Sequence, residues 1–260
     1  MIVAEEQETR RIVVAVDASP CGRAALETAT QWAAQVRAEL QTLFVEDADL
    51  WRWASLPFAN EVPLSYAVPR PLGVTGLECA FRAHAEQVRR ALAEAADRLQ
   101  VRWSFQVQRG DLVRTSRALA GQAALLIVGM AETAGTASRE RRAAAGSILV
   151  IDEGSSSSDG VLRIAAELAE INLGDLVVLS PAFENGAGPA RRREIDRCLD
   201  GCHAGYTVQP LPALDARTIV RLAERMRKRL ILLVLHSELL DEADLEILVK
   251  QLACPLALVP

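Results

Sequence analysis

Two carboxylates stand where a run of β-branched residues stops and a helical pattern begins. Asp17 closes the run Ile12–Val16 and is followed by Ala18, Ser19 and Pro20; Asp152 closes Ile148–Ile151 and is followed by a serine run. Ligands of open parallel sheets bind outside the carboxyl ends of the strands, so both acids stand where a ligand is met. A carboxylate there also has a local use, ordering its own turn by accepting hydrogen bonds from nearby N–H groups. Asp17 is read first in that local role, ordering the turn at Ser19.

The remaining reactive side chains form no catalytic set. His84, His203 and His236 lie far apart in sequence. His236 follows an apolar run at the ligand-facing edge; a hydrogen-bonded structural role is its first reading and acid–base work the alternative. Cys198 and Cys202 sit at i,i+4 spacing with His203 adjacent, which begins a metal pattern. Structural zinc takes about four ligands, no CxxC answers this pair, and no metal is expected. The five cysteines read as free thiols. No G-x-G-x-x-G follows a strand and no G-x-S-x-G elbow is present, so no catalytic residue is assigned. The basic clusters at Arg139/Arg141/Arg142, Arg191–Arg193 and Arg225–Arg229 read as solvated helix faces, the first also being a candidate anion contact.

The elements that position these residues alternate. Strands are expected at Ile12–Val16, Leu40–Val45, Val101–Val107 and Ala124–Val128, then at Ile148–Ile151, Asp175–Leu179, Tyr206–Gln209, Leu230–Leu235 and Pro255–Val259. Amphipathic stretches between them predict helices, with Ser19, Asp111, Ser157 or Ser158, and Asp215 as N-caps. Alternation of this kind predicts a parallel sheet with helices on both faces. The segment 46–76 reads as a long loop carrying Trp51, Trp53 and Phe58, too apolar for simple disorder. It is expected to cover the core or join the halves, with a lid or partner surface as the alternative. The helix–strand order of the second half repeats that of the first, so an internal duplication is expected, with units at 1–146 and 147–260.

Half of the 260 residues are hydrophobic and the formal net charge is −5. That supports one large or two modest cores and argues against a nucleic-acid surface. No apolar run approaches the roughly 20 residues of a membrane helix, and the N-terminal residues lack a signal-peptide pattern. A soluble cytoplasmic protein is expected.

“IVVAVDASPCGRAALETATQWAAQVRAELQTLFVED” resembles the start of a universal stress protein domain. “ALLIVG” is similar to that family's fourth strand and “CPLALVP” to its last. The likeness covers most of Arg10–Gly129 and continues, weaker but in the same order, from Ser147 to Pro260. It implies two tandem Rossmann-like α/β domains, each with a five-stranded parallel sheet. It also implies a homodimer, with “CPLALVP” as an edge that a partner covers. In ATP-binding members the aspartate matching Asp17 contacts the nucleoside beside Ala18, and a G-x2-G-x9-G-[S/T] loop after the fourth strand holds the phosphates. Gly129 matches the first glycine. Glu132 takes the second glycine's place, and Arg142 and Ala143 take those of the Gly-Ser pair. A shifted register through Gly135 and Gly146-Ser147 is one residue too long. The matching loop of the second half, “VLHSELLDEADLEIL”, has no glycine.

These departures predict a non-catalytic binding or regulatory module in stress response, with no cofactor. The alternatives are an ATP- or AMP-binding switch using Asp17 and Gly129, and a small-molecule enzyme with His236 between the halves. The first half shows no separate fifth strand. “SILVID” is open to three roles: that strand, the first strand of the second half, or a shared hinge. The helix after it favours the second.

Overall fold

The computed structural model describes residues 10–17, 20–62, 68–120, 123–129, 147–181, 188–226, 230–234, 241–252 and 254–259. Ala18, Ser19, Glu132, Gly135, Arg139, Arg141, Arg142, Gly146 and His236 lie outside them. The first half runs β1 (Arg11–Val16), α1 (Pro20–Val36), β2 (Glu39–Asp47), α2 (Ala48–Ala54), β3 (Asn60–Glu61), β4 (Arg70–Pro71), α3 (Val74–Leu99), β5 (Trp103–Gly110), α4 (Leu112–Ala120) and β6 (Leu125–Gly129). The second runs β7 (Ile148–Ile151), α5 (Ser156–Leu168), β8 (Leu176–Ser180), α6 (Gly188–Cys198), β9 (Tyr206–Pro210), α7 (Ala216–Met226), β10 (Leu230–Val234), α8 (Glu242–Gln251) and β11 (Leu256–Val259). Caps form where short acids precede the helices. Asp111 accepts from the Arg114 N–H at 2.8 Å, Asp215 from Thr218 at 2.9 Å and Asp241 from Asp244 at 2.8 Å. The bonds from the Thr218 backbone and hydroxyl also hold the Asp215 carboxyl below its ordinary pKa.

Among the described residues nine strands form one sheet in the order β5-β2-β1-β6-β11-β10-β7-β8-β9. Both halves place their first four sheet strands in the same order, third-second-first-fourth. Within this sheet the pairings inside each half are parallel, and the antiparallel joint is β6 with β11, where Val128 faces Leu256; β3 and β4 form a separate antiparallel ribbon. The strands near the centre are buried on both faces, which is why they read as unbroken apolar runs. One core lies under α1, α3, α5 and α6, around Trp32, Leu92, Leu162 and Ile195; the other lies under α4, α7 and α8, around Val113, Ile219 and Leu248.

The sheet departs from two expectations. Among the described residues the first half supplies four parallel strands rather than the five the resemblance implies, and β11 pairs with the fourth strand of each half. The C-terminal strand is therefore no edge awaiting a partner: β6 covers one side and β10 the other. The open edges are β5 and β9. Ile148–Ile151 takes the second of its three roles, lying between β8 and β10. The segment 46–76 is also more ordered than a loop, carrying α2, the β3–β4 ribbon and the start of α3.

Candidate functional site

Strand polarity decides which residues can meet. Because β6 and β11 are antiparallel, the carboxyl ends of β1 and β6 point to one edge of the sheet and those of β7 and β10 to the other. Asp17 and Asp152 thus stand on opposite edges of the sheet, and the two strand ends do not meet. Ser147 precedes β7 on the same edge as Gly129, but β11 and β10 intervene. Three strand spacings put them about 14 Å apart.

At the first junction, β1 and β6 are adjacent with Val16 opposite Gly129, and the first turn of α1 rests directly on both ends. A Cβ on Gly22 would strike the Asp17 carbonyl oxygen and lie 3.0 Å from its Oδ1. A Cβ on Gly129 would lie 2.5 Å from Ala25 Cβ, 2.6 Å from the Cys21 carbonyl oxygen and 2.9 Å from Gly22 Cα. Gly129, the candidate phosphate glycine, is therefore required by helix-on-strand packing whatever else it does. Asp17 is half-buried against Gly22.

At the second junction the carboxylate is filled from within. Asp152 is fully buried and Arg191, from α6, is 6% exposed. The guanidinium grips the carboxylate as a fork, Nη2 to Oδ1 at 2.6 Å and Nε to Oδ2 at 3.0 Å. Its Nη1 reaches Glu194 Oε2 at 2.9 Å and Asp159 Oδ1 at 3.1 Å. The Gly154 N–H donates to Asp152 Oδ1 at 3.1 Å, from a turn whose φ of 78° favours glycine. The Ser158 hydroxyl accepts from the Glu153 N–H at 3.0 Å, while Ser155 holds the N-cap position of α5, ahead of the expected Ser157 or Ser158, without a side-chain cap bond. Burial opposes the charge on Arg191, but hydrogen bonds to Asp152 and Glu194 outweigh it and raise its pKa above the ordinary arginine value. Arg191 is thus not part of a solvated basic face. Its place on one stripe with Ile195 and Leu199, at i+4 and i+8, is the sequence signal that marks it.

The tryptophan segment divides between two roles. Trp51 is half-buried and stacks on Phe81 at 5.7 Å between ring centroids. Arg109 lies 3.7 Å over its ring, and its Nε1 donates to Glu46 at 3.1 Å. Trp53 and Phe58 point outward, 54% and 74% exposed, with Val62, Val68 and Val74 also exposed along the same excursion. Trp51→Ala should therefore lower stability by about 2–3 kcal/mol. Trp53→Ala should change the stability of the lone chain by less than about 0.5 kcal/mol; urea denaturation of both variants, at concentrations too low for self-association, checks the contrast.

His84 and His203 are exposed, the latter bound through its N–H to Glu170 at 2.7 Å. That backbone bond lowers the Glu170 pKa. Among the described residues no cluster of three metal-ligating side chains occurs, and no helix is long and apolar enough to cross a membrane.

No family model matches the chain, and no curated protein matches it in sequence. Solved structures do match in backbone. A universal stress protein from Archaeoglobus fulgidus DSM 4304 aligns over 97% of this chain and 98% of its own, at 12% identity and a TM-score of 0.53. A functionally unknown protein from Pseudomonas aeruginosa PAO1 aligns over 97% and 93%, at 16% identity and a TM-score of 0.50. The mostly parallel sheet, its helical cover and the end-to-end alignment together identify this chain's fold as that of the universal stress proteins.

Proposed function

We propose that this chain is a universal stress protein-like module that acts by binding or regulation, without catalysis and without ATP. The observation that carries this reading is the state of the two strand-end carboxylates. Each is built into the protein's own packing, Asp17 beneath Gly22 and Asp152 on Arg191. A triphosphate needs backbone N–H groups free to approach it. At the first junction Gly129 is committed to α1, and at the second a guanidinium holds the carboxylate. The opposed strand polarity also argues against an enzyme site between the halves. We read the chain as a tandem of units 1–146 and 147–260, cytoplasmic and without a cofactor.

The outward Trp53 and Phe58 favour a second element of this reading, a homodimer or protein contact through that excursion. Native mass spectrometry of gently purified protein tests both points. The expected species is a dimer at twice the 28.2 kDa chain mass, with no nucleotide adduct, and Trp53→Ala with Phe58→Ala shifts it toward monomer. A stoichiometric adenine nucleotide adduct contradicts the binding reading. A monomeric wild-type mass contradicts the pairing.

A further inference from the structure

We infer that the second strand-end junction is a guanidinium-binding site that the chain occupies with its own Arg191. The inference rests on the reading that neither junction serves a nucleotide, and it adds what the second one is built to hold. Asp152 is fully buried and presents both carboxylate oxygens to one planar donor fork. Asp159 and Glu194 face the remaining nitrogen from α5 and α6. Three carboxylates around one cation leave the pocket acidic, which repels phosphate and attracts a delocalised cation. The fork geometry selects guanidinium over ammonium, because two parallel N–H···O bonds match the carboxylate. The Gly154 N–H fixes the carboxylate from the turn side. The site is therefore organised by residues of the β7–α5 junction, and α6 delivers the occupant from 39 residues along the chain.

The experiment removes the occupant and returns it in solution. Arg191→Ala deletes the equivalent of ethylguanidinium. The variant should melt roughly 10 °C below wild type, as expected for a buried charge left unpaired in a chain of this size. Ethylguanidinium at about 50 mM should raise its melting temperature by about 3 °C relative to the same concentration of ethylammonium. Wild type should show no rise, and neither should Arg191→Ala combined with Asp152→Asn. Equal effects of the two cations on Arg191→Ala overturn the proposal, as does an equal rise in wild type. If Arg191→Ala does not fold, the wild-type protein decides by hydrogen exchange. The Arg191 Nε–H should exchange at least about 100-fold more slowly than that of exposed Arg82, and equal rates overturn the proposal. ATP binding to wild type would remove the functional reading above but leave the rescue result unaffected, so the two failures are distinguishable.

Discussion

Asp152→Ala should lower the free energy of unfolding by about 3–5 kcal/mol, because it leaves the Arg191 guanidinium buried with its main partner gone. The loss comes less from the attraction forfeited than from the Arg191 Nε and Nη2 donors left buried without their acceptor. Replacing both residues with apolar side chains of similar size, Asp152→Leu with Arg191→Met, should therefore cost much less than the two single losses summed. A coupling of about 2 kcal/mol or more in that double-mutant cycle, read by urea denaturation, is the expected result. Additive losses would show that the two groups do not share one buried site. The exposed pair Arg82–Glu78, at 2.8 Å, provides the contrast: its removal should change stability by no more than about 0.5 kcal/mol.

The second large effect concerns glycine at the first junction. Gly129→Ala forces a methyl group to within 2.5 Å of Ala25 Cβ and 2.6 Å of the Cys21 carbonyl oxygen. One obstacle is backbone and the other is a rigid stub, so neither can swing away. The cost should be about 2–3 kcal/mol, and Ala25→Gly in the same chain should recover part of it. Gly160→Ala, within α5, meets nothing within 4 Å and should be stabilising by about 0.5–1 kcal/mol. Denaturation of the two alanine variants should give opposite signs. A neutral Gly129→Ala would mean that α1 does not sit on the β6 end as described.

The fold was legible wherever it is local. Strands buried on both faces show as apolar runs, and Asp111 and Asp215 announce their helices because a short carboxylate just before an amphipathic stretch has one good use. The joint between the halves was not legible. Placing Leu256–Val259 beside both β6 and β10 depends on strand polarity and long-range pairing, and no local pattern records either. The same strand therefore read as an exposed edge, when the chain itself covers it.

The site was legible in part. Asp17 and Gly129 meet because β1 and β6 are neighbours, which the strand order of a parallel sheet supports. Ser147 stands apart because β10 and β11 lie between it and Gly129. Arg191 was hidden by its neighbours. Three consecutive arginines look like a solvated face, and only the phase with Ile195 and Leu199 turns the first of them inward. Trp51 and Trp53 looked alike in sequence, yet two positions along a helix is enough to send one toward Phe81 and the other to solvent.

Titration calorimetry of wild-type protein with Mg-ATP asks whether the Asp17 junction takes a nucleotide. No saturable heat is expected up to about 1 mM nucleotide, a limit that excludes binding stronger than roughly −4 kcal/mol. A one-to-one isotherm in the micromolar range, abolished by Asp17→Ala in a variant that remains folded, would contradict it.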